Sequence, residues 1–107
     1  MATKRARSKS PLEADALLEK AHKASEFLKA LSHEARLAIL CLLLDGEKSV
    51  GSIEDSLQLR QPTVSQQLAR LRADDLVKVR RDGKNVYYSI ARSEVIEVMS
   101  ALYRAFC

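Results

Sequence analysis

The chain has 107 residues, with 18 Lys and Arg against 14 Asp and Glu for a net charge of +4, two Cys, two His and no Trp. That length bounds one small domain, which removes only about 60–70% of its unfolded surface from water and therefore gains from a second subunit. At 47% apolar and 30% charged residues it reads as globular, and its longest apolar run, the eight residues 37–44, is far below the roughly 20 of a bilayer span. The basic start lacks the apolar stretch of a secretory signal, so the expected location is cytoplasmic, where two cysteines stand as thiols rather than a disulfide.

Residues 1–10 carry Lys4, Arg5, Arg7 and Lys9 with no acid and no periodicity, and are predicted to form a flexible basic arm ahead of a domain spanning 11–107. From Pro11 the pattern turns helical, with Glu13 and Asp15 early and Leu17, Ala21, Ala24, Leu28 and Leu31 at three- and four-residue steps. Ser32 is the expected N-cap of a second helix, which Asp45-Gly46 ends. The middle of that helix is apolar nearly all round, so it is the expected centre of the core. Ser49 or Ser52 then caps a short third helix holding Ile53 and Leu57, and a brief connection leads to Pro62 at the start of a fourth. There Val64, Leu68 and Leu71 form one stripe, while Thr63, Ser65, Gln66, Gln67, Arg70 and Arg72 cover the rest without an acid.

Beyond Asp75 the period switches to alternation, with Val77 and Val79 opposed to Lys78 and Arg80, then Val86, Tyr88 and Ile90 opposed to Tyr87 and Ser89. Asp82-Gly83 between them predicts a tight hairpin of type I′. Ser93 is the expected cap of a last helix reaching Phe106. Its apolar groups lie on two sides, with Val95, Met99, Leu102 and Phe106 on one and Ile96 and Tyr103 on its neighbour, which points to a surface against a second copy.

Charge is distributed unevenly along this order. Residues 12–57 hold five bases against nine acids, whereas residues 58–92 hold eight against three. The folded positive charge thus sits in one block that contains a helix-turn-helix followed by a basic hairpin. That arrangement predicts a mainly α, winged helix-turn-helix fold whose fourth helix enters the major groove of double-stranded DNA. Gln61, Thr63, Ser65, Gln66 and Gln67 offer donors and acceptors to base edges, and Arg60, Arg70, Lys78, Arg80, Arg81 and Lys84 can neutralise phosphates. A polar helix face alone is usually only a solvated surface; the turn, the hairpin and the charge block together favour DNA.

Three stretches carry a family resemblance: Ala30-Leu31-Ser32-His33-Glu34-Ala35-Arg36-Leu37-Ala38-Ile39-Leu40, then Gln61-Pro62-Thr63-Val64-Ser65-Gln66-Gln67-Leu68-Ala69-Arg70-Leu71, then Asp82-Gly83-Lys84-Asn85-Val86-Tyr87-Tyr88. In this order they resemble the ArsR/SmtB repressors across about residues 15–106. The resemblance implies a homodimer joined through its first and last helices that leaves operator DNA when an inducer binds. Gln67 departs from the pattern, since many members have His before the Leu, and leaves base preference open.

Many members of that family sense metals, yet residues 49–57 contain no Cys or His, and residues 94–106 lack the Asp/His set of zinc-type members. His33 and Cys41 are about 12 Å apart along one helix and cannot share an ion held at about 2 Å. No metal or other cofactor is therefore expected. Cys41 alone reads as a small buried hydrophobe and Cys107 as a terminal thiol. A branch of the family, the BigR-like sulfide-responsive repressors, is similar in having one cysteine in the second helix and another at the end of the last. That similarity implies that Cys41 and Cys107 are a redox-sensing pair, bridged by reactive sulfur species acting as inducer. A metal- or metalloid-responsive repressor and a constitutive DNA-binding regulator stay open as alternatives. Cys-x-x-Cys, a glycine-rich phosphate loop and a His-Glu-x-x-His segment are all missing from the sequence, so no enzyme is expected.

Overall fold

The computed structural model describes residues 13–107. The expected arm of residues 1–10 and the helix start at Pro11 lie outside the described residues. The elements run α1 (Ala14–Leu31), α2 (Glu34–Leu43), β1 (Lys48–Ser49), α3 (Val50–Leu57), α4 (Gln61–Ala73), β2 (Val77–Asp82), β3 (Asn85–Ile90) and α5 (Ser93–Phe106).

One core holds these elements together. Ile39, Leu40 and Leu43 of α2 meet Ile53 of α3, Val64, Leu68 and Leu71 of α4, Leu76 and Val77 before and in β2, and Val95 and Met99 of α5. The stripe expected on α4 is thus the buried one, because residues spaced by three and four share a helix face. In α1, by contrast, burial is confined to Ala30 and Leu31 in the last turn. Leu17, Leu18 and Leu28 remain on its open surface.

Local chemistry sets the element ends. The N-cap of α2 is His33 rather than Ser32: its Nδ1 accepts from the Ala35 amide at 3.1 Å. An imidazole nitrogen here fills the acceptor role that short hydroxyls usually hold. Gly46, at φ +124°, ends the α2 region in a conformation that suits glycine. Of the two expected caps of α3, Ser49 fills the role, its Oγ accepting from the Ser52 amide at 3.1 Å. In the turn to α4, Gln58 takes a left-handed conformation, and its Nε2 donates to the Asp55 carbonyl at 2.8 Å. Ser93 makes no side-chain cap; it is the first residue of α5, and Arg92 occupies the N-cap.

The sheet has the order β1-β3-β2 and is antiparallel throughout. Its third strand, β1, is two residues long and pairs Lys48 with Tyr88 and Ser49 with Tyr87. No alternation can appear in two residues, which is why periodicity does not reveal it. The hairpin closes on the pair Asp82 and Asn85, so its central residues are Gly83 and Lys84 rather than Asp82 and Gly83. Gly83 has φ +63° and Lys84 is not in the positive region, the signature of a II′ turn, which needs glycine only at its first position. A Cβ at Gly83 would meet nothing within 4 Å. Gly83→Ala is therefore expected to cost about 1 kcal/mol through backbone conformation alone, read as a lower midpoint in urea unfolding; an unchanged midpoint would show the turn to be free of that constraint.

Candidate functional site

Two groups of expected functional residues occupy different parts of the fold. The first surrounds α4 and the hairpin. Along α4, Gln61, Gln66 and Arg70 are exposed, and Thr63 and Ser65 are half-buried. Gln61 Nε2 donates to Ser65 Oγ at 2.7 Å, so these two side chains are held together across one helical turn. The first turn of α4 carries no acid and no side-chain cap. Its leading amides keep donor capacity, and its end of the helix dipole is positive.

Gln67 does not join that face. It is buried, and its Oε1 accepts from Arg36 Nη1 at 3.0 Å. The expectation that Gln67 contacts bases is therefore corrected: one residue along a helix is a turn of about 100°, and this side chain points into the protein beside Leu68. Polarity marks Gln67 for the surface in the sequence, but a buried arginine on α2 supplies its partner.

The expected phosphate contacts divide in the same way. Arg60, Arg81 and Lys84 are exposed and make no ion pair among the described residues. Arg70 lies 3.3 Å from Asp74 in an i,i+4 pair. Arg80 is more firmly held: its Nε and Nη2 donate to the two carboxylate oxygens of Glu47 at 2.9 and 2.8 Å. Its guanidinium also lies 4.6 Å from the centre of the Tyr87 ring. The fork is satisfied within the protein, so Arg80 ties the hairpin to the segment before β1 instead of presenting a free charge. Sequence reasoning missed Glu47 because it lies 33 positions from Arg80 and the two are brought together by the pairing of β1 and β2 with opposite edges of β3.

The second group lies between α2 and α5. Cys41 is half-buried, Cys107 is exposed, and both are free thiols. They line one groove of about 410 Å³ with Leu37, Ala38, Met99, Leu102, Tyr103 and Phe106. Cys107 stands at the end of α5, its amide donating to the Tyr103 carbonyl at 2.8 Å. Burial pushes the Cys41 thiol above its ordinary value, and the neighbouring Cys107 and Asp45 push it further. Cys41 thus keeps its proton more tightly than a free cysteine. The groove walls are open to solvent on the side of Tyr103 and Phe106, which are 53% and 83% exposed. Among the described residues, no three His, Cys, Asp or Glu side chains gather where they could hold a metal ion, and no helix is long and apolar enough to cross a membrane.

Five helices, a helix-turn-helix with an acid-free second helix, and a hairpin directly after it define a winged-helix DNA-binding regulator. Residues 33–79 match the model for the bacterial regulatory proteins of the arsR family. The biofilm growth-associated repressor of Agrobacterium fabrum is 42% identical over 92 residues, covering 86% of this chain and 79% of that protein. The transcriptional activator HlyU of Vibrio cholerae is 40% identical over 98 residues, or 92% of this chain and 91% of that one. The crystal structure of the transcriptional repressor BigR from Xylella fastidiosa matches with a TM-score of 0.82 at 37% identity, over 89% of this chain and 97% of that one. The chain belongs to the ArsR family, whose members are regulators and not enzymes.

The Arg80 fork gives a test of the hairpin's anchoring. Its hydrogen bonds hold the Glu47 carboxyl below its ordinary value, so the bond is present above that ordinary value and is lost as pH falls through the lowered one. Carbon-13 NMR titration should place the Glu47 midpoint below an unperturbed glutamate in the parent and move it upward in Arg80→Met. Equal midpoints in the two proteins would show that the fork does not hold in solution.

Proposed function

We propose that the chain is a cytoplasmic, homodimeric transcriptional repressor that binds operator DNA through α4 and the hairpin and is released when reactive sulfur bridges Cys41 to Cys107. The observation that carries the sensing part is the shared groove: residues 66 positions apart in sequence line one apolar cleft. In this reading Gln61, Thr63, Ser65 and Gln66 address base edges, while Arg60, Arg70, Arg81 and Lys84 address phosphates. Gln67 supports them from within, and Arg80 supports them from the base of the hairpin. The open apolar surfaces of α1 and α5, with Leu17, Leu18, Leu28, Ile96 and Tyr103 at 46–68% exposure, form the dimer contact. Burial of such surface is worth about 25 cal/mol per Å² before the costs of association.

The chemistry starts at the exposed thiol. Cys107 as thiolate attacks the sulfane sulfur of a persulfide RSSH, giving Cys107-SSH and releasing RSH. Cys41 as thiolate then attacks the inner sulfur of that group and displaces hydrosulfide, closing a disulfide. The donor is reduced and the two thiols are oxidised, with RSH and hydrogen sulfide as the products. If Cys41 is persulfidated as well, its terminal sulfur displaces hydrosulfide from Cys107-SSH to leave a trisulfide, which spans a wider gap than the Cα separation of under about 7 Å that a disulfide requires. A bridge fixes α5 against α2. Because α5 belongs to the dimer contact, this changes how the two copies of α4 meet half-sites about 34 Å apart. A coupling of 1–3 kcal/mol lowers affinity roughly 5- to 150-fold.

Duplex selected from a random library by the reduced protein provides the probe for fluorescence anisotropy, with intact mass measured on the same samples. Persulfide treatment should weaken binding and yield a crosslinked Cys41-Cys107 peptide. Zinc should do neither, and either Cys41→Ser or Cys107→Ser should bind but lose the response. Independent caps on each thiol, or a full response in Cys107→Ser, would sink the dithiol mechanism. Because the Cys41 thiol holds its proton tightly, ring closure should accelerate about tenfold per pH unit from 6 to 8; a flat profile would remove Cys41 as the closing nucleophile. Arg81→Ala and Lys84→Ala should each reduce the slope of log affinity against log salt by about 0.9, whereas an unchanged slope would take the hairpin off the phosphates. One relative is named an activator and another a repressor, so transcription in vitro from the selected site decides the sign of regulation.

A further inference from the structure

Arg36 and Gln67 are the buried polar side chains among the described residues, at 9% and 8% exposure. A guanidinium keeps its charge in a protein, yet Arg36 makes no ion pair among the described residues. Two neutral oxygens hold it. Its Nε donates to the Ala30 carbonyl at 2.8 Å, and its Nη1 donates to Gln67 Oε1 at 3.0 Å. Ala30 lies in the last turn of α1, where the carbonyls have no partner within the helix and carry the negative end of its dipole. Gln67 lies at the middle of α4. One planar side chain on α2 therefore grips the end of α1 on one side and the centre of α4 on the other.

We infer that the Arg36–Gln67 hydrogen bond is a positioning strut that fixes the rotation of α4 about its axis, making Gln67 a specificity-determining residue that never touches DNA. The inference rests on α4 being the DNA-reading helix, as proposed above. The other contacts of α4 with the core come from Val64, Leu68 and Leu71, and apolar contacts are non-directional, so they tolerate small rotations and slides. A hydrogen bond to a rigid guanidinium does not, because it weakens steeply as its angle departs from linear. Rotation of α4 decides which of Gln61, Thr63, Ser65 and Gln66 reach base edges. Phosphate contacts from long arginine and lysine side chains are far less sensitive to it. The strut thus governs discrimination between sequences more than total attraction to DNA. Its anchor, Arg36, shares α2 with Cys41, so the helix that carries one of the two thiols also holds the reading helix.

The test uses the full chain, reduced, with two duplexes: one selected by the parent from a random library and one scrambled from it. Gln67→Leu keeps the size of the side chain but removes the acceptor. It should lower affinity for the selected duplex about tenfold, the loss of roughly one hydrogen bond's positioning, while affinity for the scrambled duplex stays within about twofold. Gln67→Glu keeps an oxygen for Arg36 and should retain the parent's affinity and its base preference on reselection. Arg36→Lys, which cannot reach both acceptors with a fixed fork, should lose selectivity as Gln67→Leu does, and serves if the leucine variant does not fold. Thermal unfolding of each variant ensures that binding is read on folded protein. Parent-like selectivity in Gln67→Leu or, in its place, Arg36→Lys would overturn the strut. A changed base preference in Gln67→Glu would also overturn it, showing that residue 67 reads DNA directly. A parent that selects no sequence overturns the DNA-reading assignment of α4 itself, and the strut's role with it.

Discussion

A helix that is apolar on nearly every side must be enclosed on nearly every side, and α2 places that constraint on all the elements around it. Ile39, Leu40 and Leu43 are at most 2% exposed, with α3 and α4 covering one side, the sheet another and α5 a third. Enclosure within one chain is incomplete. Leu37, Ala38 and Cys41 stay half-buried along the groove under α5. The same helix therefore serves both as the floor of the core and as one wall of the site that contains the two thiols. A domain of this size has one core to build on, and within it α2 packs against both α5 and α4.

The positive charge of the chain is less available than its count implies. Of the basic residues between 58 and 92, Arg70, Arg80 and Arg92 are paired with Asp74, Glu47 and Glu94. These are exposed pairs of small energetic worth, and their significance is geometric. The Glu47 fork sets the base of the hairpin, while Arg81 and Lys84 beyond it extend without a carboxylate partner among the described residues. A rigid base and free tip charges are what a wing needs in order to track a phosphate backbone without spending affinity on ordering itself.

Much of this was legible in the sequence because it follows from short-range periodicity. Val64, Leu68 and Leu71 announce α4, the alternation from Val77 to Ile90 announces the hairpin, and Ser49 announces the start of α3 by capping chemistry. What escaped has no local signature. The strand β1 is too short to show a period, and its existence depends on Tyr87 and Tyr88 nearly 40 residues later. His33 caps α2 where Ser32 is the commoner residue type, a choice settled by backbone geometry one position along. Gln67 looked like a surface residue because the guanidinium that buries it is 31 residues away. For β1 and Gln67 the partner is distant in sequence, and residue type alone carries no information about it; the partner of His33 is the amide two residues on.

The two cysteines show the same dependence on tertiary context with a chemical consequence. In isolation Cys41 is a small apolar residue among leucines, and its raised proton affinity makes it a poor first nucleophile. Cys107, on the open end of α5, meets solvent first. The order of steps in the proposed bridge follows from this asymmetry: the exposed thiol collects sulfur, and the shielded one acts only on a sulfur already delivered into the groove. A donor in bulk water gains little from a thiol that is both protonated and half-covered, whereas a persulfide carried on Cys107 is presented at the high effective concentration of an intramolecular partner. In the proposed route the shielding of Cys41 therefore sets the order of the steps rather than the identity of the oxidant, since a sulfenic acid on Cys107 offers the second thiol an electrophilic sulfur as a persulfide does.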